Sequence, residues 1–182
     1  VGAGIRGCDT AFANAGVAFA DLECASGGTG SAAVAVRFEG DAYNTVPTGS
    51  GTATDCLGQG VPNASAATGG GVNYRLVESR FWTRTSSGIG RPELACGGNG
   101  ASFSPQPLVQ WVEGVVLRYG IAQEGSSQAV VRFVDAATID ALGGSVDANW
   151  ARVVSVQLCV LVRSEERDNA GGGNYVGCDG QA

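Results

Sequence analysis

The residues best placed by type and spacing to do chemistry stand at the very start of the chain. In VGAGIRGC, Gly2, Gly4 and Gly7 carry the spacing G-x-G-x-x-G. A dinucleotide-binding turn uses that spacing to wrap a pyrophosphate, and Asp21 and Glu23 follow where such a fold keeps the acid for the cofactor ribose. The surroundings argue against this chemistry. The turn needs a strand before its first glycine and a helix after its last, yet only Val1 precedes Gly2. The stretch from Gly7 to Asp21 is too short for a helix, a turn and a second strand. With 30 glycines in 182 residues, the spacing arises from composition alone. No cofactor is expected.

Carboxylate pairs are the next candidates. A glycosidase needs two carboxyls a few ångströms apart around the scissile bond. Asp55, in a long loop, and Glu113, near a break in a strand, could take such roles. Nothing in their spacing singles them out from the 17 acids of the chain, and solvated surface acids are the better account. Asp168, Asn169 and Asn174 offer oxygens to calcium, but they do not follow an EF-hand loop, and no metal is expected. Trp82, Trp111 and Trp150 could stack on sugars. Single tryptophans in strand patterns more often fill a core.

What is missing from the composition narrows the chemistry further. The chain has no histidine, and all 11 basic residues are arginine. A Ser-His-Asp triad, a Cys-His dyad and a histidine-bound metal are therefore excluded within it. So are a Walker A lysine and a lysine Schiff base. The net charge of −6 repels phosphate backbones, so nucleic acid is not an expected partner. Arg75, Arg80 and Arg84 read as solvated strand positions rather than a basic patch. The expectation is a protein without catalytic function.

Six cysteines remain, Cys8, Cys24, Cys56, Cys96, Cys159 and Cys178. None form C-x-x-C, so neither a zinc ribbon nor a thioredoxin motif is supported. An even number, widely spaced among Gly/Ser loops, reads as disulfides in an oxidising compartment. Six cysteines leave many connectivities open. Proximity favours Cys8–Cys24 and Cys159–Cys178, which leaves Cys56–Cys96.

The elements that position these residues follow from periodicity. One domain over 1–182 suits the length, and no apolar run approaches the ~20 residues that span a bilayer. No secretory signal is visible. The chain contains no methionine, which predicts a processed or truncated product with a segment lost before Val1. SAAVAVRFE (31–39) and VNYRLVESRFWTR (72–84) alternate as strands. Between them, 40–71 reads as a glycine-rich loop, with function or mobility expected of its length. GIGRPELACGGNG (88–100) reads as a second loop. LVQWVEGVVLRYGIA (108–122) reads as one strand broken at Gly114, and QAVVRFV (128–134) continues the sheet. A short helix is predicted over 135–143, capped by Asp135, with Ile139 and Leu142 on one face and Gly143 ending it. WARVVSVQLCVLVRS (150–164) is the strongest strand. Val154, Val156, Leu158, Val160 and Val162 share one face, and the apolar residues on its other face predict a central strand. The polar, glycine-rich tail is tied down only through Cys178. Few helices, not alternating with strands, point to an α+β chain with an antiparallel sheet.

Three segments resemble one known family. RPELACGGNG, followed by PQPLVQWVEGVVLRYG, is similar to a stretch in which a cysteine-containing strand precedes QPLVEGVE and an RYG-like end. WARVVSVQLCVLVRS resembles the pattern W..V.sVrv.LlvRS. TDCLGQ (54–59) resembles the opening of a cysteine loop. In this order, across 54–164, they resemble the PilW family of type IV pilus minor pilins, which is similar to the J-type pseudopilins of type II secretion. The resemblance implies a pilin-like α+β fold, an antiparallel head packed on a long N-terminal helix that is largely missing here. It implies a Gram-negative bacterium, a start in the periplasm anchored to the inner membrane by that helix, and a place in the extracellular filament. The implied partners are other minor pilins and the major pilin. The implied roles are priming of pilus growth and a position at the filament tip. Alternatives are a tip adhesin for a surface glycan and a type II secretion pseudopilin. No catalytic residues carry over. VGAGIRGC becomes the exit from the missing helix, loosened by its glycines and pinned by Cys8.

Overall fold

The computed structural model describes residues 3–27, 30–64, 74–123, 129–166 and 176–178. Gly2, Asp168, Asn169 and Asn174 lie outside the described residues, as does most of the predicted tail.

Two antiparallel sheets carry the described chain. The first has five strands in sequence order: β1 (Ile5–Cys8), β2 (Ala33–Gly40), β3 (Arg75–Thr85), β4 (Pro92–Gly98) and β5 (Gln106–Gln110). The second has three, ordered β7 (Val130–Val134), β6 (Val112–Ala122), β8 (Val153–Val162). Two five-residue helices, α1 (Ala136–Asp140) and α2 (Val146–Trp150), lie between β7 and β8 in the chain. The architecture is mostly antiparallel sheet, as the alternating segments predict.

Alternation explains the strands because it lets one side of each meet an apolar partner. On β6, Val115, Leu117, Tyr119 and Ile121 point the same way and are buried. They meet Ala3 and Ala32, Ile139 of α1 and Trp150 of α2, with Ile5, Val34 and Leu94 of the first sheet packed alongside. A second core lies under the segment after β1, where Phe12, Phe19 and Leu22 cover Cys8, Ala33 and Ala35. Each large side chain so buried stabilises the fold by about 1.5–3 kcal/mol. Helix α1 is capped as predicted, the Asp135 side chain accepting from the Thr138 N–H. A second carboxylate supports the same end. Asp9, just past β1, accepts from the Ala136 and Ala137 N–H groups, so the first sheet holds the helix start.

Five readings from the sequence are corrected. The segment 88–100 is not all loop, since 92–98 forms β4 between β3 and β5. Its Ala, Cys and Gly residues look loop-like locally, but their small size lets neighbours close over the strand. The segment 108–122 is two strands in different sheets. The chain turns at Trp111, whose φ is 65°, and Gly114 marks only a bulge against β8. The 135–143 helix ends at Ala141 rather than Gly143, and α2 follows it, capped by Ser145 and holding Trp150. Among the described residues β8 is an edge strand rather than a central one. Finally, the strand arginines are not simply solvated. Arg80 is buried and donates to the Ala15 carbonyl and to Glu78, Arg75 donates to the Val61 carbonyl, and Arg84 pairs with Glu93.

Candidate functional site

The glycine motif builds a strand, not a phosphate-binding turn. Residues 5–8 are β1, paired with β2 from Ile5↔Val36 to Cys8↔Ala33. Gly7 is needed for packing, since a Cβ there would lie 1.8 Å from the Tyr119 hydroxyl oxygen. The glycine therefore fixes this entry instead of loosening it. The Tyr119 hydroxyl is buried with no hydrogen-bond partner among the described residues. Burial pushes its pKa well above the ordinary value, and the charges of Asp9 and Asp140 add to that.

Asp21 and Glu23 hold no cofactor geometry. Asp21 ends a single 3₁₀ turn, and Glu23 adjoins Cys24. Both line a cavity of about 440 Å³, with the Cys8–Cys24 disulfide, Phe12, Leu22, Asp140 and Trp150 in its wall.

The structure does not bring the two candidate catalytic carboxylates into one constellation. Asp55 is buried, which corrects the reading of a solvated acid. One of its oxygens accepts from the Leu57 and Gln59 N–H groups and the other from the Gly100 N–H. A Cβ at Gly98 would lie 2.2 Å from that second oxygen. Asp55 thus clasps the 55–59 turn against the end of β4, beside the Cys56–Cys96 disulfide. Glu113 stands at the bulge of β6 and pairs with Arg163 after β8.

The tryptophans divide between core and surface. Trp150 is buried, edge-on to Tyr119 at 5.0 Å, and donates from Nε1 to Asp140 at 2.7 Å. Trp82 stacks with Phe103, ring centroids 6.2 Å apart. Trp111 lies under two guanidiniums. The cysteines pair as 8–24, 56–96 and 159–178, the connectivity that proximity favours. The first two staple the five-stranded sheet and its loops. The third anchors the chain after β8.

The most distinctive surface is one whose openness sequence reasoning missed. Residues directly opposite in an antiparallel ladder share a face. Val156, Leu158 and Val160 of β8 stand opposite Tyr119, Leu117 and Val115 of β6. They therefore continue the core-facing side of the second sheet. Yet Leu117 is 4% exposed while Leu158 is 64% exposed. Val154, Val156, Val160 and Val162 are exposed as well. The alternation that reveals this stripe is plain in the sequence, but no local signal says what lies over it. Among the described residues, no strand pairs with the outer edge of β8, a ten-residue strand that carries neither charge nor proline to block it. Of the other edge strands, β5 carries Pro107.

The described residues hold no helix long and apolar enough to cross a membrane. Among them there is also no group of three or more metal-ligating side chains. No curated protein and no solved structure matches the chain. The family model Type IV Pilus-assembly protein W matches residues 80–176. That match covers more than half of the chain and takes in β4 to β8, with the open apolar stripe. The chain therefore belongs to the PilW family of type IV pilus assembly proteins.

Proposed function

We propose that this chain is the head of a minor pilin with a pilin-like fold, which primes growth of a type IV pilus and sits at the filament tip. It works by assembly, without catalysis. The observation that carries the reading is the open apolar side of β8, which continues the core face of β6. An apolar helix laid on this side would bury the stripe, and each side chain covered favours docking by about 1.5–3 kcal/mol when fully buried. Ala3 belongs to the core cluster formed by that same face of β6, so a preceding helix would start beside its seat. That helix would anchor the protein in the inner membrane before assembly, and in the filament it would bundle with other minor pilins and the major pilin. The absence of histidine and lysine and the full engagement of Asp55 by backbone N–H groups support the non-catalytic part.

The test is made in the parent strain with the full-length gene. Val156→Glu with Leu158→Glu should abolish surface pili counted by electron microscopy, while the isolated head keeps its circular dichroism spectrum. Normal piliation with this pair, or a gene lacking a prepilin leader and apolar helix before Val1, would refute the reading.

One observation favours the tip adhesin as a second reading. Tyr43 is 97% exposed on a loop held by Asp41, whose side chain accepts from the Tyr43 and Asn44 N–H groups. The loop borders a groove of about 500 Å³ lined by Phe38, Val46 and Phe81. An exposed tyrosine beside an apolar groove is a common anchor in recognition surfaces. Binding on a glycan array that Tyr43→Ala removes would support the adhesin, and silence across the array would leave assembly alone.

A further inference from the structure

The cleft beside β1 holds a buried donor and an excess of negative charge. Arg6 is 6% exposed. It lines the cavity of about 440 Å³ enclosed by β1, the segment 12–24 and the two helices. Its Nη2 donates to Asp147 at 2.7 Å, which matches its charge. Its Nε has no hydrogen-bond partner among the described residues. A buried donor is costly to leave unpaired, so this N–H calls for an acceptor inside the cleft. The rest of the wall calls for a cation. Asp21, Glu23 and Asp140 line the same cleft and are solvent-exposed. Among the described residues no arginine pairs with any of the three, and the chain has no lysine to do so. The Asp140 carboxylate accepts only from Trp150 Nε1. Phe12 and Leu22 add an apolar wall. The volume is in the range of small-ligand sites.

We propose that this cleft binds one arginine or lysine residue of a partner protein chain. The cationic head sits among Asp21, Glu23 and Asp140, and the alkyl stem lies along Phe12 and Leu22. A main-chain carbonyl of the guest accepts from Arg6 Nε. Long basic side chains carry this combination of apolar stem and charged tip. The ion pair between Arg6 and Asp147 decides the form of the guest. Arg6 Nε lacks a hydrogen bond, not a counter-charge, so a neutral carbonyl suits it. A carboxylate in the same place would face three acids. No residue of β8 and no helix before Ala3 takes part in this binding.

Titration of the 182-residue chain, followed by NMR through the Arg6 Nε–H signal and the backbone amides, tests this. The probe is Nα-acetyl-arginine N-methylamide, an arginine residue with both of its ends capped as in a chain. Saturable shifts of the Arg6 Nε–H signal and of the amides of residues 20–24 are expected. The capped citrulline analogue keeps the shape and loses the charge, and should bind at least about tenfold more weakly. n-Butylguanidinium has the stem and head but no carbonyl, and should leave the Arg6 Nε–H signal in place. Asp21→Asn with Glu23→Gln alters exposed side chains only, so the fold is kept. This pair should weaken the arginine probe about fivefold and change the citrulline analogue by less than about twofold. No saturable shift would mean that water alone serves Arg6 Nε, and overturns the proposal. So does equal binding of the two capped analogues, or a butylguanidinium that moves the Arg6 signal as far as the capped arginine does.

Discussion

The two sheets solve the problem of an exposed sheet in opposite ways. The five-stranded sheet is covered on one side by its own loops and on the other by its loops together with the core it shares with β6. Residues 9–25 close one side over Ala33 and Ala35, and the 55–59 turn is clasped near the other end by Asp55. Two disulfides lock these covers down. The three-stranded sheet has a complete core only around β6. β8 presents the same apolar side as β6 with the described chain packed over little of it. The difference separates a strand whose apolar side the described chain covers from one whose matching side it leaves open. Leu117 and Leu158 stand opposite each other in one ladder, yet only the first belongs to a core.

Four measurements test this contrast, and the largest effect concerns the staples. Cys56→Ser with Cys96→Ser opens a 40-residue loop and should cost about 4 kcal/mol by loop entropy. Urea unfolding followed by fluorescence would read it. A loss near zero would mean the covers of the first sheet hold without their staple.

Next comes the pair across the ladder. Leu117→Ala should cost about 2–5 kcal/mol, as a cavity in a core does. Leu158→Ala in the same assay should stay within about 0.5 kcal/mol. Equal costs would abolish the distinction drawn between the two positions. Smaller and opposite in sign is Tyr119→Phe. It removes a buried hydroxyl with no partner among the described residues and so should stabilise by about 1 kcal/mol. The same change should flatten the alkaline limb. The folded protein holds the Tyr119 proton more tightly than the unfolded chain, whose value is the ordinary 10.0. Stability is therefore unaffected by this group below pH 10 and falls as the pH rises from there towards the raised folded value.

The smallest effect lies at α1. Asp135→Ala removes a cap worth about 1 kcal/mol. The Thr138 side chain and backbone N–H hold the Asp135 carboxyl below its ordinary value of 3.8. Its contribution is therefore full above that value and is lost as the pH falls through the lowered one. Thermal unfolding at acid and neutral pH should show the capped and uncapped proteins converging at low pH.

Much of the fold was legible because alternation and capping are local. The strand at 33–40, the Asp135 cap, and Ile139 and Leu142 facing the core all follow from residues within a few positions of each other. β4 was not, because small residues become a strand only when β3 and β5 close around them. Asp55 was not either. Its role depends on the Gly100 N–H, far along the chain, and on Gly98 leaving room for the carboxylate.

The residue types alone rule out several chemistries in this chain, since no histidine or lysine is there to perform them. The sequence also determined which segments could be strands, since period-two alternation is written residue by residue. Only the tertiary structure decided that the glycine spacing at the start forms a strand against Tyr119, that the chain turns between sheets at Trp111, and that the stripe on β8 lies open. Those outcomes depend on what arrives from distant parts of the chain to pack over, against or across each residue, and no local pattern encodes that arrival.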